Sequence, residues 1–152
     1  MPRLDEIDQA ILKALSADAR VSNAEIARQT GIPERTVHYR LRRLFDTRQI
    51  RAALVVDPFA VGYTLAVDFF CELEPGCMEQ AVAQLLPMPE ITYLALSTGD
   101  EDLSIQAVFR SIDEMQVFIT EKLHQVLGIR KTRTILIPRI LKDTYQWRPP
   151  AE

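Results

Sequence analysis

Residues 21–44, VSNAEIARQTGIPERTVHYRLRRL, decide how the rest of the chain is read. Ser22 and Glu25 stand at the spacing of a capping box, in which the serine accepts a first-turn amide and the glutamate reaches back to the cap. That spacing predicts a helix from near Asn23 to Thr30, ended by Gly31, which takes the left-handed conformation cheaply. Pro33 suits the opening of a second helix, because its missing N–H falls among donors that have no partner there. Helix, short glycine turn, helix is the helix-turn-helix pattern.

In the second helix Val37, Leu41 and Leu44 fall at i, i+4 and i+7 and form one apolar stripe that must face a core. At about 100° per residue the opposite face carries Arg35, Tyr39 and Arg42, flanked by Thr36 and Arg43. Arginine forks match phosphate oxygens and the guanine edge, and Thr or Tyr hydroxyls bond backbone or base, which a recognition helix in a major groove requires. Taken alone, such a helix reads as a solvated charged face; the capped helix and turn before it favour double-stranded DNA. The candidate DNA-binding residues are Ser22, Asn23, Arg35, Thr36, His38, Tyr39, Arg40, Arg42 and Arg43.

At this point the chain resembles the Lrp/AsnC, or feast/famine, family of prokaryotic transcription regulators. The resemblance is carried by LDEIDQAILKAL (Leu4 to Leu15), SNAEIARQTGIPERTVHYRLRRL, IRAALVVDP, STGDED and IRKTRTILI, five segments in the family's order and spacing. Pro33 departs from the family's pattern, which often has a serine capping the recognition helix here.

A chain of 152 residues, 47% apolar, holds one large or two small domains with a core. No apolar run is long enough to span a bilayer, and MPRLDEID lacks the order of a signal peptide, so a cytoplasmic protein with no membrane partner is expected. Cys71 and Cys77 form neither a C-x-x-C pair nor part of a His-rich cluster and read as buried or incidental thiols, with no metal site. The net charge of -3 divides unevenly: residues 1–51 hold ten Lys/Arg and seven Asp/Glu, net +3, and residues 52–152 hold eight and fourteen, net -6. Between Arg35 and Arg51 six arginines face only Asp46, a net of +5 on the segment that would meet phosphates.

Leu4, Ile7, Ile11 and Leu15 mark the inner face of a first helix, with Asp5, Glu6 and Asp8 favourable at its positive end. Its expected role is support for the other two. Ile50 to Val56 is β-branched and ends at Asp57-Pro58, which predicts a strand leaving a winged helix-turn-helix domain. Tyr63 to Leu73 alternates strictly, a strand with one buried face. Phe70 interrupts its polar face, read either as a partner contact or as an ordinary exposed apolar residue. Met78, Val82, Leu85 and Leu86 mark a helix, Ile91 to Ser97 and Leu103 to Arg110 two strands, Ile112, Met115, Ile119, Leu123 and Val126 a helix stopped by Gly128, and Ile129 to Ile140 a last strand. The expected fold class is α+β: a three-helix domain over 1–50, a connecting strand and hinge over 51–62, a ferredoxin-like βαββαβ domain over 63–141, and a tail over 142–152 in which Trp147 packs on the body or a neighbour. Two helices on one face leave the other face of the sheet open, which self-association would cover. The resemblance implies homodimers assembled further into tetramers or octamers, so that paired recognition helices read a roughly palindromic site.

Thr98-Gly99-Asp100-Glu101-Asp102 joins the second and third strands and reads, by itself, as a hairpin turn. Glycine also admits a ligand close to the backbone, and carboxylates pair with an α-ammonium group. The resemblance implies that this loop, usually G-D-aromatic-D, helps form an effector pocket between subunits for a small molecule, typically an amino acid. Gly99, Asp100 and Asp102 match; Glu101 stands where the family has an aromatic or apolar residue, and its extra charge suggests a cationic amino acid such as lysine or arginine. Thr132 and Thr134 match family threonines near the pocket and read equally as strand residues. No resident cofactor or catalytic residue is expected. The competing enzyme reading rests on siroheme decarboxylases, which are similar to the family over both domains. Their chemistry calls for histidines and arginines lining one pocket, whereas His38 and His124 fall on separate helices, and no G-x-S-x-G, metal-ligand cluster or phosphate loop appears.

Overall fold

A computed structural model of the chain describes residues 4–142. The chain divides into two compact units, the first ending at Leu54 and the second beginning at Val55. Trp147 and the rest of the tail beyond residue 142 lie outside the described residues.

In the first unit α1 (Glu6–Ala17), α2 (Asn23–Thr30) and α3 (Glu34–Asp46) surround Ile11, Ile26 and Val37, none of which retains exposed surface. Ile7, Leu15, Val21, Ile32 and Leu41 close around these three. Each fully buried side chain of this size contributes roughly 1.5–3 kcal/mol. Asp5 caps α1 and forms a reciprocal pair with Asp8: the Asp8 amide donates to Asp5 at 2.9 Å and the Asp5 amide to Asp8 at 3.2 Å. Ser22 caps α2 through the Glu25 amide at 3.2 Å. Its box closes at one end only, because the Glu25 carboxylate accepts from Arg28 and Gln29 instead of from the Ser22 amide. Gly31, at φ +73°, ends α2 as expected. Pro33 stands one residue ahead of α3, at the cap, and α3 has no side-chain cap.

The strand expected over Ile50 to Val56 does not form. Residues 51–57 lie in no strand, and Leu54 is 90% exposed, Val55 51% and Val56 52%. β-branched composition favours extended backbone, but a strand is completed only by hydrogen bonds from a neighbour, and among the described residues none is offered. Asp57 then caps a single 3-10 turn, Pro58–Val61, by accepting the Phe59 amide at 2.9 Å.

The second unit runs β1 (Leu65–Leu73), α4 (Met78–Leu85), β2 (Ile91–Leu96), β3 (Leu103–Phe109), α5 (Ile112–Val117) and β4 (Ile129–Ile137). All strand pairs are antiparallel, in the order β2-β3-β1-β4, so the ferredoxin-like βαββαβ arrangement holds. Central β1 buries Val67, Phe69, Cys71 and Leu73 against the helices and leaves Asp68, Phe70 and Glu72 half-buried on the open face. Phe69, Phe109 and Phe118 form the aromatic heart of the core, with ring centroids 5.2–6.3 Å apart.

Two helix faces differ from expectation. Ala81 and Leu85 form the inner face of α4, and Leu86, one residue past its end, is 67% exposed. Ile112 is likewise exposed, at 57%, and after Val117 the helix widens into a π-turn, Phe118–Lys122, followed by a 3-10 turn, Leu123–Gln125. A π-turn adds a residue, so Phe118 and Leu123, five apart, both reach the core. Gly128, at φ +90°, lies so close to Cys77 that a β-carbon there would be 2.2 Å from the Cys77 β-carbon. β4 stops at Ile137 instead of Ile140, since Pro138 has no N–H for the ladder.

Candidate nucleic-acid interface and effector loop

Core packing of Val37 and Leu44 turns Arg35, Tyr39 and Arg42 outward on α3; Tyr39 is 64% exposed. His38 is exposed and Thr36 half-buried at the edges of this face. Arg42 meets Asp46 at 3.7 Å, an exposed pair of little energetic weight. The Ser22 hydroxyl is occupied by the α2 cap, and Asn23 is half-buried beside it.

Arg40 and Arg43 turn instead toward α1. Arg40 donates to Asp5 and, at 3.4 Å, to Asp8, and Arg43 donates to Asp8. Asp8 has no exposed surface. The structure therefore groups Arg35, Tyr39 and Arg42 on one face and removes Arg40 and Arg43 from it, and two of the six arginines behind the net of +5 have their charge met by carboxylates from another helix. The signal was present in the sequence: Leu4, Asp8, Ile11 and Leu15 share one stripe, and a carboxylate on an inner stripe must find a cationic partner. Arg48 and Arg51, exposed beyond α3 around a cleft of about 660 Å³ lined also by Phe45, Ile50 and Ala52, were not singled out. Arg48 is the one described non-glycine residue with positive φ, at 55°.

In the second unit the loop over residues 97–102 is tied down at one end. The Asp102 amide donates to the Cys71 carbonyl at 2.8 Å, and its carboxylate accepts the Leu73 amide at 2.7 Å, beside the ladder irregularity at Glu72 and Leu73. Ser97 donates through its hydroxyl to the Glu101 carbonyl at 3.0 Å. One oxygen of Glu101 accepts from Arg133 at 2.9 and 2.6 Å, and the same guanidinium lies 4.6 Å over the Phe70 ring. The free negative charge behind the expectation of a cationic effector is thus already matched. Thr98, Gly99 and Asp100 are exposed, with Gly99 at φ +127°.

Thr132 and Thr134 pair with Cys71 and Phe69 on the helix side of the sheet, whereas Arg133 pairs with Phe70 on the open side. The structure does not bring the threonines to Glu101; Thr132 instead sits 3.9 Å from the Cys71 thiol and lines a cleft of about 250 Å³ with His124, Ile129, Arg130 and Lys131. Burial pushes the Cys71 thiol up to about 11, with the Thr132 contact opposing it. His38 and His124 lie in different units, and among the described residues no cluster of His, Cys, Asp and Glu could hold a metal ion. No described helix is long and apolar enough to cross a membrane.

Residues 4–44 match the family model described as the AsnC-type helix-turn-helix domain, and residues 69–147 that of the Lrp/AsnC ligand binding domain. The chain belongs to the Lrp/AsnC family. It is 38% identical to an uncharacterised HTH-type transcriptional regulator of Pyrococcus abyssi over 94% of this chain and 91% of that one. The solved structure of E. coli AsnC superposes with a TM-score of 0.86 at 28% identity, covering 95% of this chain and 99% of the other. A transcriptional regulator of Neisseria meningitidis, solved as an L-Met complex, shares the fold at a TM-score of 0.87 and 21% identity over 96% and 97% of the two chains. This Lrp/AsnC chain is therefore a transcriptional regulator with a DNA-binding helix-turn-helix and a ligand-binding domain, and its relatives are named as regulators, not enzymes.

Proposed function

We propose that the protein binds a specific DNA sequence through α3 and that an amino acid bound between subunits alters that binding. The observation carrying the first half is the outward face of Arg35, Tyr39 and Arg42 set opposite a buried stripe, with Thr36 and His38 at its margins. Their donors suit base edges and phosphates in a major groove. For the second half, the exposed Thr98-Gly99-Asp100 backbone admits a small zwitterion, and Asp100 supplies a carboxylate for its ammonium group. Thr132 and Thr134 are kept as a separate, helix-side part of this reading. The ligand of the Neisseria protein makes an amino acid the first effector to try.

The open face of the sheet, with Tyr93 45% and Ile135 37% exposed around half-buried Phe70, suits a homodimer, from which tetramers or octamers are built. The effector then acts by linkage: an amino acid that binds one assembly better shifts the population toward it, and with it the spacing of the α3 helices.

Fluorescence anisotropy on DNA upstream of the protein's own gene, against a scrambled duplex and with pooled amino acids, tests the reading. Salt-sensitive preference for the upstream duplex, shifted by one pool, is the expected result. Arg35→Ala or Tyr39→Ala should relax that preference. Equal affinity for both duplexes, untouched by every pool, would reject it.

A further inference from the structure

We infer that Asp8, together with Asp5, is a specificity-determining positioning residue that holds Arg40 and Arg43 away from DNA. The inference rests on α3 being the DNA-reading helix.

Four observations carry it. Asp8 is fully buried, and its carboxylate survives there on three donors: the Asp5 amide, Arg43, and Arg40 at 3.4 Å. Withdrawing Arg43 to a phosphate would strip a buried carboxylate of its main cation, a change that is strongly unfavourable. Arg43 itself keeps a buried Nε with no protein partner, so the direction of its guanidinium is set by Asp8 and not by the sum of its own donors. Arg40 is 19% and Arg43 34% exposed along the side chain, against 75% for Arg42 one residue before Arg43.

The consequence is for discrimination. Each phosphate contact strengthens binding to every sequence alike, whereas base contacts separate one sequence from another. Two arginines held on carboxylates are two fewer indiscriminate contacts, while Arg35 and Arg42 remain outward. A helix with all four of its arginines free would grip any duplex.

The test uses the full-length protein, a duplex it selects from a random pool, and a scrambled duplex, titrated by anisotropy between 50 and 200 mM salt. Each phosphate contact adds about 0.9 to the slope of log affinity against log salt. Asp8→Asn releases Arg43, while Arg40 keeps its pair with Asp5, and should steepen that slope on both duplexes by up to about 0.9 and bring the two affinities closer together. Asp5→Asn leaves Arg40 only its 3.4 Å contact with Asp8 and should steepen it by up to about 0.9; as an exposed site it serves if Asp8→Asn does not fold. Arg43→Gln should leave the slope unchanged, whereas Arg42→Gln should flatten it. A role confined to folding would lower the melting temperature and leave every slope as it was. Normal binding by the unaltered protein with unchanged slopes in both aspartate variants overturns this inference alone. No salt-sensitive binding by the unaltered protein overturns the DNA reading as well.

Discussion

Arg133 places two N–H groups on a single oxygen of Glu101, at 2.9 and 2.6 Å, while its guanidinium stacks 4.6 Å over Phe70. An ion pair whose cation is also packed on a ring is oriented as well as neutralised. Glu101 therefore adds no unmatched charge to the loop. Calorimetry with single amino acids should find neutral ones binding at least as tightly as lysine or arginine. A tenfold preference for lysine in the unaltered protein, abolished in Glu101→Gln, would show that the pair opens for the ligand.

The loop's second aspartate has a different duty. Asp102 accepts the Leu73 amide where the β1 ladder is irregular, a charge-assisted bond worth roughly 1.5–3 kcal/mol. Asp102→Ala should lose stability of that order in a urea titration. The exposed Asp100 should change by no more than about 0.5 kcal/mol on the same replacement. Equal losses at both positions would contradict this division.

Acid should destabilise the helical unit through two carboxylates, the Asp5 cap of α1 and Glu25 within α2. The Asp8 amide and then Arg40 hold Asp5 below its ordinary value, and Arg28 and Gln29 hold Glu25 down at about 2. Both groups titrate lower when folded than when unfolded, so their stabilisation is complete above about pH 4 and drains away as pH falls toward 2. Thermal melts followed by circular dichroism at pH 7, 4 and 2.5 should drop most between the last two. Glu25→Gln should reduce that drop; a variant that declines as steeply as the parent speaks against it.

Cys71, buried with its thiol raised to about 11, should resist alkylation at pH 8 while half-exposed Cys77 reacts. Mass spectrometry should find one modification on the native chain and two in denaturant. Two modifications at equal rate under native conditions would place Cys71 outside the core.

What the sequence disclosed was local. The α2–turn–α3 segment is written in a serine cap, a left-handed glycine and one apolar stripe, signals that each span a single turn, and β1 in a period of two. What it concealed depends on neighbours distant along the chain. The stretch before Asp57 has the composition of a strand, but composition cannot show whether another strand will pair with it. Asp8 looked like a charge favouring a helix end until α3 supplied its arginines, 32 and 35 residues on. Glu101 looked free because Arg133 is equally remote. Thr132 and Thr134 matched by position, yet their alternation with Arg133 puts them across the sheet from the loop's ion pair.

The contact between Gly128 and Cys77 also restricts the order in which this chain can change over generations. A side chain at 128 would begin 2.2 Å from one β-carbon and 3.0 Å from a sulfur, at a backbone angle of +90° that side chains rarely adopt. Trimming Cys77 to alanine leaves the nearer obstacle in place, so position 77 must reach glycine before 128 departs from it. Lineages that try the steps in reverse pass through an intermediate that must absorb this overlap by shifting its backbone.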